Sequence, residues 1–475
     1  MKHNIILLSD SYKYSQPHQF PKGTQYVSSY IESRGGEENS VFFGAQALIK
    51  EYLIGEVVTI EMIDEAEMII TQHGEPFYRE LWDIIVEEFS GRLPIEIEAV
   101  AEGTYMPISN VQMQIINTDP RFWWLPGFLE PLTLRGVWYP STVATKSRKM
   151  KAIIARALAT TSDVPVMDQI MFKLHDFGAR GATSHEAAKL GGMGHLVNFM
   201  GSDTIEGIVG ARRYYGADMP GFSIPASEHS TITSWGRENE KAAYENMIEL
   251  FGGEGKIYAC VSDSYNIYEA IKMWGELKEK IIDKGGTLVV RPDSGDPLTV
   301  PIDVVELLME EFGFTVNSKG FRILPSYIRV IQGDGISEHS LPQLIDNLIR
   351  AGLSIDNIAF GMGGGLLQLV NRDSLKYAMK ASAIMASDGE WTDVFKDPIH
   401  GGKTSKKGRL GLIYQTGVCG GSFRTVPKSV ADKKGNLLRP IFRNGKLLIE
   451  DTFDQVRERA ALKEEEYLDV EFERY

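Results

Sequence analysis

From about residue 170 the chain repeats one unit: a short apolar run ending in charged or Gly-rich residues, then a helical pattern. The runs are MFKLHDFGARG (171–181), KIYACVSDSYN (256–266), TLVVRPDSGDP (287–297), YIRVIQGDGI (327–336) and NIAFGMGGGLL (357–367). Between them, 267–284 and 302–313 place apolar residues near i, i+3, i+4 and i+7, as amphipathic helices do. The runs recur roughly every 30–40 residues, the size of a βα unit. Near-continuous apolar strands are covered on both faces, which implies a parallel sheet or barrel. His175 and Asp176, Asp263, Arg291 and Asp293, Gly333 and Asp334, and Gly363–Gly365 all fall just past the strand ends. In a βα barrel those positions converge on the face where active sites lie. The expected fold is therefore α/β: an irregular βα barrel over 146–385, with an additional α+β domain built from 1–145 and joined by the C-terminal segment 386–475.

The N-terminal part has a different pattern. In PIEIEAVAEGTYMPISNVQMQIINT (94–118) apolar Ile95, Ile97 and Ala99 alternate with Glu96 and Glu98, predicting a half-exposed antiparallel sheet. FWWLPGFLEPL (122–132) follows, then a helical spacing over 147–160. The Trp123–Trp124 pair is expected in core or interface packing, where aromatic anchors are commonest.

A net charge of -14 argues against a nucleic-acid footprint, because phosphate backbones select basic surfaces. A small anion is still allowed, since a few local Arg residues can dominate a cleft. The two cysteines, Cys260 and Cys419, lack metal-ligand spacing and make no disulfide framework. Ile5–Leu8 is too short an apolar run for a signal sequence, and no segment reaches the length of a membrane span. A cytoplasmic protein without membrane or nucleic-acid partners is expected.

Arg180, Arg291 and Arg372 supply forked donors suited to phosphate oxygens. Gly363–Gly365 reads as a turn into a helix N-terminus, where backbone N–H groups can cradle a phosphate. Asp263, Asp293 and Asp334 could hold a ribose diol, or a Mg²⁺ bound to a diphosphate. By residue chemistry alone this is an enzyme acting on a phosphate-bearing ribose compound. Glu228 and His229 stand side by side in SIPASEHSTITSWG (223–236), and residue type alone would make that histidine structural.

The strings SDSYKYS (9–15), LHDFGARG (174–181), HLVNFMGSDT (195–204), SIPASEHSTITSWG, VSDSYNIY (261–268), VRPDSGDP (290–297), RVIQGDGI (329–336), IAFGMGGGLLQ (358–368), VFKDP (394–398) and SKKGRL (405–410) resemble the nicotinamide phosphoribosyltransferase family, in its order. The resemblance implies a type II phosphoribosyltransferase barrel, a homodimer with active sites at the subunit interface, and a role in NAD salvage. The implied reaction moves a 5-phosphoribosyl group from phosphoribosyl diphosphate to the ring nitrogen of nicotinamide, with Mg²⁺ and with ATP as a coupled co-substrate. Nicotinate phosphoribosyltransferase is the alternative.

Carried over by motif, Phe177 would stack on the pyridine ring and Tyr12 of the partner subunit would cover its other face. Arg180 would meet the carbonyl or the diphosphate, and Asp203 the carboxamide NH₂, with Ser223 also at the substrate. Arg291 and Asp293 would serve diphosphate and ribose, and Asp334 the ribose hydroxyls. Asp263 is a further substrate residue, and Asp263 and Asp293 are the candidate Mg²⁺ ligands. Gly333, Gly363, Gly364 and Arg372 would hold the 5′-phosphate. Arg34, Lys380 and Lys396 would approach phosphates from the partner subunit. His229 would be the phosphoacceptor from ATP and would, with Arg291 and Asp293, form the catalytic set, Glu228 orienting its ring or tuning its protonation. His175 and His195 are expected to be structural. Ala179, Met362 and AKLGGMG (188–194) depart from the vertebrate-like pattern, and altered affinity rather than altered reaction is expected, through the tunnel lining near the ring or the reach of inhibitors. Asp203 favours the amide, because a carboxylate facing nicotinate meets a like charge.

Overall fold

The computed structural model describes residues 3–399, 404–417 and 420–470; Cys419 lies outside them. The chain divides into two compact units: 1–145 with 210–217 and 371–460, and 146–209 with 218–370 and 461–475.

The first unit is built on a seven-stranded sheet. Its order is Trp391–Asp393, Ala378–Ala386, Thr24–Glu32, Met113–Asn117, Ile95–Ala99, Arg439–Arg443 and Lys446–Leu447, every pair antiparallel. Ile95, Ile97 and Ala99 are fully buried as their alternation predicts. The opposite face is not half-exposed throughout: Glu98 is buried too, because Gln114 and Lys428 sit on its carboxylate. Trp124 lies in the core, edge-on to Trp82 with ring centroids 4.9 Å apart, and the Trp123 indole donates to the Pro17 carbonyl.

The strand Ala378–Ala386 corrects the expected boundary at 386. It pairs with Thr24–Glu32, so 371–385 belongs to this unit and not to the barrel. The end of the chain departs in the other direction: Glu466 takes Arg148 Nη2 at 2.8 Å within the second unit. Both placements are made by partners hundreds of residues away, which a local reading of the pattern does not see.

The second unit is the irregular βα barrel. Six parallel strands run in the order Gly201–Ser202, Leu174–Asp176, Ile358–Met362, Ile328–Gln332, Thr287–Arg291 and Ile257–Val261. The segment 222–226 closes the ring, with Phe222 bridging to Gly201 and Ala226 to Ala259, both parallel. Each of the five apolar runs read from the sequence contains one of these strands. The helices between them include His185–Leu196, Val300–Phe312 and Ser340–Arg350. The stretch 267–284 is two helices, Ile267–Glu276 and Lys278–Lys284, broken at Leu277 just after the weak helix former Gly275. The helix 147–160 is the later part of a longer one, Glu130–Thr161. No helix among the described residues is long and apolar enough to cross a membrane.

Candidate active site at the carboxyl ends of the barrel strands

A cavity of about 610 Å³ lies in the barrel. Phe177, Asp203, Ser223 and Arg291 line it at the carboxyl ends of the strands, and Lys173, Arg329 and Asp356 toward the amino ends. Between these ends its wall is apolar and mostly small, including Ala226, Ala259, Val289, Ile331 and Ala359. Neither Ala179 nor Met362 is part of that wall, nor is any of 188–194. Met362 is fully buried behind the strand end and Ala179 sits on the outer turn 179–181, so the expected change of tunnel lining does not follow from these residues.

Phe177 follows the strand Leu174–Asp176, and its N–H donates to the Met362 carbonyl at 3.0 Å. Its ring fills the space a side chain at 361 would take: a Cβ on Gly361 would stand 2.0 Å from Phe177 Cε2. A Cβ on Gly333 would lie 3.3 Å from the same atom. Two of the glycines in the motifs therefore act by close approach to one ring. Asp203 follows Gly201–Ser202; its N–H donates to the Asp176 carbonyl at 2.9 Å, and its Oδ1 accepts from Ser223 Oγ at 2.5 Å. His175 Nε2 lies 2.9 Å from the Phe172 carbonyl, and burial lowers its pKa. His195 is buried between Ser147 Oγ and the Gly201 carbonyl. Both histidines have the structural partners expected of them.

A second cluster is built on charge. His229 opens the short helix His229–Thr233. Its Nε2 is 2.8 Å from Asp263 Oδ1, and its Nδ1 is 3.8 Å from Asp293 Oδ2. Asp263 Oδ2 accepts from the Asp293 N–H at 3.1 Å and from Ser294 Oγ at 2.5 Å. Arg291 Nε, buried without a hydrogen-bond partner among the described residues, is 3.9 Å from Asp293 Oδ1. Burial raises the Asp293 pKa, and Asp263 adds to the rise while Arg291 opposes it. Glu228 does not reach the ring: its carboxylate caps the helix and takes the Ser230 hydroxyl. The residue that orients His229 is Asp263, which sequence spacing offered only as a ligand. The signal for it was present in VSDSYN, at the end of the neighbouring strand.

Asp334 is exposed, its carbonyl held by Gln332 Nε2 at 2.7 Å. Arg180 is exposed on the turn Ala179–Gly181. Gly363 precedes a helix of only four residues, Gly364–Leu367. Tyr12, Arg34, Arg372, Lys380 and Lys396 belong to the first unit. There Tyr12 is exposed beside Lys13, Arg34 stands 3.9 Å from Glu32, and Arg372 pairs with Asp373 at 3.0 Å. Lys380 Nζ donates to the Met379 carbonyl, and the Lys396 N–H to Ser405 Oγ.

For a divalent cation the donor set is sparse. Both Asp263 oxygens already serve protein donors, and no group of three or more His, Cys, Asp or Glu among the described residues could hold a metal. Of the two candidate ligands, Asp293 is the one whose carboxylate takes no hydrogen bond from Asp263's donors, and it lies 3.8 Å from His229 Nδ1 and 3.9 Å from Arg291 Nε.

Residues 172–446 match the nicotinate phosphoribosyltransferase (NAPRTase) family, and 4–97 match the nicotinamide phosphoribosyltransferase N-terminal domain. A nicotinamide phosphoribosyltransferase of Xanthomonas campestris pv. campestris is 49% identical over 96% of this chain and 98% of its own. One of Acinetobacter baylyi is 28% identical over 98% of this chain and 99% of its own. Among solved structures, nicotinate-nucleotide pyrophosphorylase from Pyrococcus furiosus superposes with a TM-score of 0.61 at 16% identity, covering 98% of this chain and 97% of that one. Human nicotinic acid phosphoribosyltransferase gives 0.55 at 16% identity, covering 96% and 93%. These two structures share the fold. The family match and the close relative place the chain in the nicotinate phosphoribosyltransferase family, among its nicotinamide phosphoribosyltransferase members.

Proposed function

We propose that the protein transfers 5-phosphoribosyl from phosphoribosyl diphosphate to nicotinamide, giving nicotinamide mononucleotide and diphosphate in NAD salvage. The observation that carries this reading is the Phe177–Asp203–Ser223 set at the cavity mouth. The flat ring of Phe177 offers a stacking face. Ser223 donates to Asp203 Oδ1, which orients the carboxylate and leaves Oδ2 to accept from a carboxamide N–H. Nicotinate would bring a second negative charge against Asp203, which disfavours that alternative.

As the anomeric C–O bond breaks, positive charge develops on the ribose. Asp293 faces that charge, and Arg291 stabilises the leaving diphosphate. Mg²⁺, when bound with the diphosphate, would neutralise part of its charge. The pyridine nitrogen carries its own lone pair, so no general base is needed and orientation is the main requirement. Asp334 would hold ribose hydroxyls, and Gly333, Gly363, Gly364 and Arg372 the 5′-phosphate, with Arg180 at the nicotinamide carbonyl or the diphosphate. A homodimer would bring Tyr12 of the partner subunit to the ring, and Arg34, Lys380 and Lys396 to the phosphates.

His229 is the proposed phosphoacceptor from ATP. With Nε2–H donated to Asp263, the lone pair stands on Nδ1, which is the nitrogen to take the phosphate. The test is product formation from phosphoribosyl diphosphate and Mg²⁺ with nicotinamide or nicotinate, each with and without ATP. Nicotinamide mononucleotide formed from the amide and raised by ATP supports both assignments. Preferential use of nicotinate would overturn the specificity reading and leave the donor site standing.

A further inference from the structure

Asp176 is fully buried at the end of the strand Leu174–Asp176, opposite Met362 on one side and Ser202 on the other. It touches neither the cavity nor the charged cluster, and no step of the proposed reaction uses it. Its Oδ1 accepts from the Gly178 N–H at 2.8 Å, closing an i to i+2 turn around Phe177. Its carbonyl accepts from the Asp203 N–H at 2.9 Å. Its Oδ2 is buried as well, with the Thr204 hydroxyl beside it. The turn is tight as well: a Cβ on Gly178 would come within 2.7 Å of Leu367 and 3.1 Å of Asp176 Oδ1. One residue thus holds, by side chain and main chain, the two groups that stand at the cavity mouth. Burial pushes the Asp176 carboxyl up to about 6, with Asp203 and Glu206 adding repulsion. A carboxylate held in such a place costs the fold stability.

We propose that Asp176 is the positioning residue of the acceptor end, its carboxylate fixing the turn that presents Phe177 and its carbonyl fixing Asp203. The inference rests on the proposed acceptor reading. It assigns Asp176 no contact with substrate. What the residue supplies is an acceptor atom at the Oδ1 position, so a neutral isostere that keeps that oxygen can replace it.

The test compares Asp176→Asn, which keeps the acceptor, with Asp176→Leu and Asp176→Ala, which do not, in the full chain. Steady-state kinetics are measured with nicotinamide varied at saturating donor, then with phosphoribosyl diphosphate varied at saturating nicotinamide. Expected is a nicotinamide KM raised tenfold or more in whichever of the Leu and Ala variants folds, and a donor KM within threefold of the parent. The Asn variant is expected to return the nicotinamide KM to within threefold. An unchanged nicotinamide KM in a folded Leu or Ala variant overturns the proposal, as does an Asn variant no better than Leu. Failure of both Leu and Ala to fold, with Asn folding normally, makes Asp176 a folding determinant and overturns it too. A parent protein without turnover on nicotinamide would instead remove the acceptor reading itself, before any variant is compared.

Discussion

Around Phe177 and Asp203 the groups are held by main-chain hydrogen bonds and by glycines that leave no space. Around His229 they are held by side-chain hydrogen bonds among charges. At the first place Phe177 donates to Met362, Asp203 donates to Asp176, and Gly361 lets the ring lie where a Cβ would be 2.0 Å away. At the second, His229, Asp263, Ser294 and Asp293 form one chain of polar contacts in which two carboxylates share a histidine. The proposed reaction explains the difference. An uncharged ring binds weakly per contact, so its pocket must be preformed. A diphosphate and a phosphorylated histidine bring large charges, and a network of adjustable side chains can respond to them.

The comparison breaks most visibly at Gly361. Gly361→Ala forces the Phe177 ring to move by more than an ångström, and kcat/KM for nicotinamide should fall about 100-fold, as displacements of that size do. The donor KM should hold, and steady-state kinetics with each substrate varied separates the two. A variant within threefold of the parent would mean the ring is not fixed by close approach. Next comes Asp263→Asn, which keeps the shape but loses the charge that holds His229 Nε2–H. The ATP-stimulated rate should fall about 10–100-fold, the range for losing a partner that orients a histidine. The rate without ATP should move far less. Rates with and without ATP, together with phosphohistidine formation from labelled ATP, check this; equal losses in both rates would make Asp263 a general site residue.

Much of this was legible in the chain because it is local. Short apolar runs ending in Asp, Arg or Gly predicted the barrel strands. What stayed hidden depends on partners far along the chain. The strand Ala378–Ala386 reads like any apolar run, and only its pairing with Thr24–Glu32 moves it out of the barrel. Asp263 lies 34 residues from His229, so spacing could not choose between ring partner and metal ligand, whereas Glu228, its neighbour in sequence, turned out to cap a helix. The sequence places Asp176 at a strand end but gives it no role, for the opposite reason. It sits between His175 and Phe177 in one motif, and its importance lies in two N–H groups, one of them 27 residues away, that no sequence pattern marks.

Asp203→Ser tests the ring end by charge rather than by shape. Removing the carboxylate takes away both the acceptor for the amide and the repulsion of an acid. The preference for nicotinamide over nicotinate should drop about 10–100-fold, roughly 1.4–2.8 kcal/mol. Competition assays with both pyridines present measure it, and an unchanged ratio would move the discrimination elsewhere in the cavity.

The smallest effect is one of stability, and it sharpens the contrast because burial raises the pKa of the Asp176 carboxyl at the ring end. The Asp176 carboxyl is raised from its ordinary value to about 6 in the folded protein. Between the unfolded value near 4 and that folded value, the native state binds more protons than the unfolded one, so this group's contribution to stability falls as pH rises through the window. Above pH 6 the penalty is complete; below pH 4 it is gone. Asp176→Asn removes the charge, so it should be more stable than the parent at pH 7–8 by about 1–2 kcal/mol, less than the full shift because the bond to Gly178 weakens. In a domain of this size that is a rise in Tm of about 2–8 °C. The gap should close as the pH is lowered from 6 to 4. Thermal melts of the two proteins across that range read it directly. A gap that stays constant with pH would mean that the buried carboxylate is neutral throughout, and that the ring end, unlike the His229 cluster, holds no charge at all behind its surface.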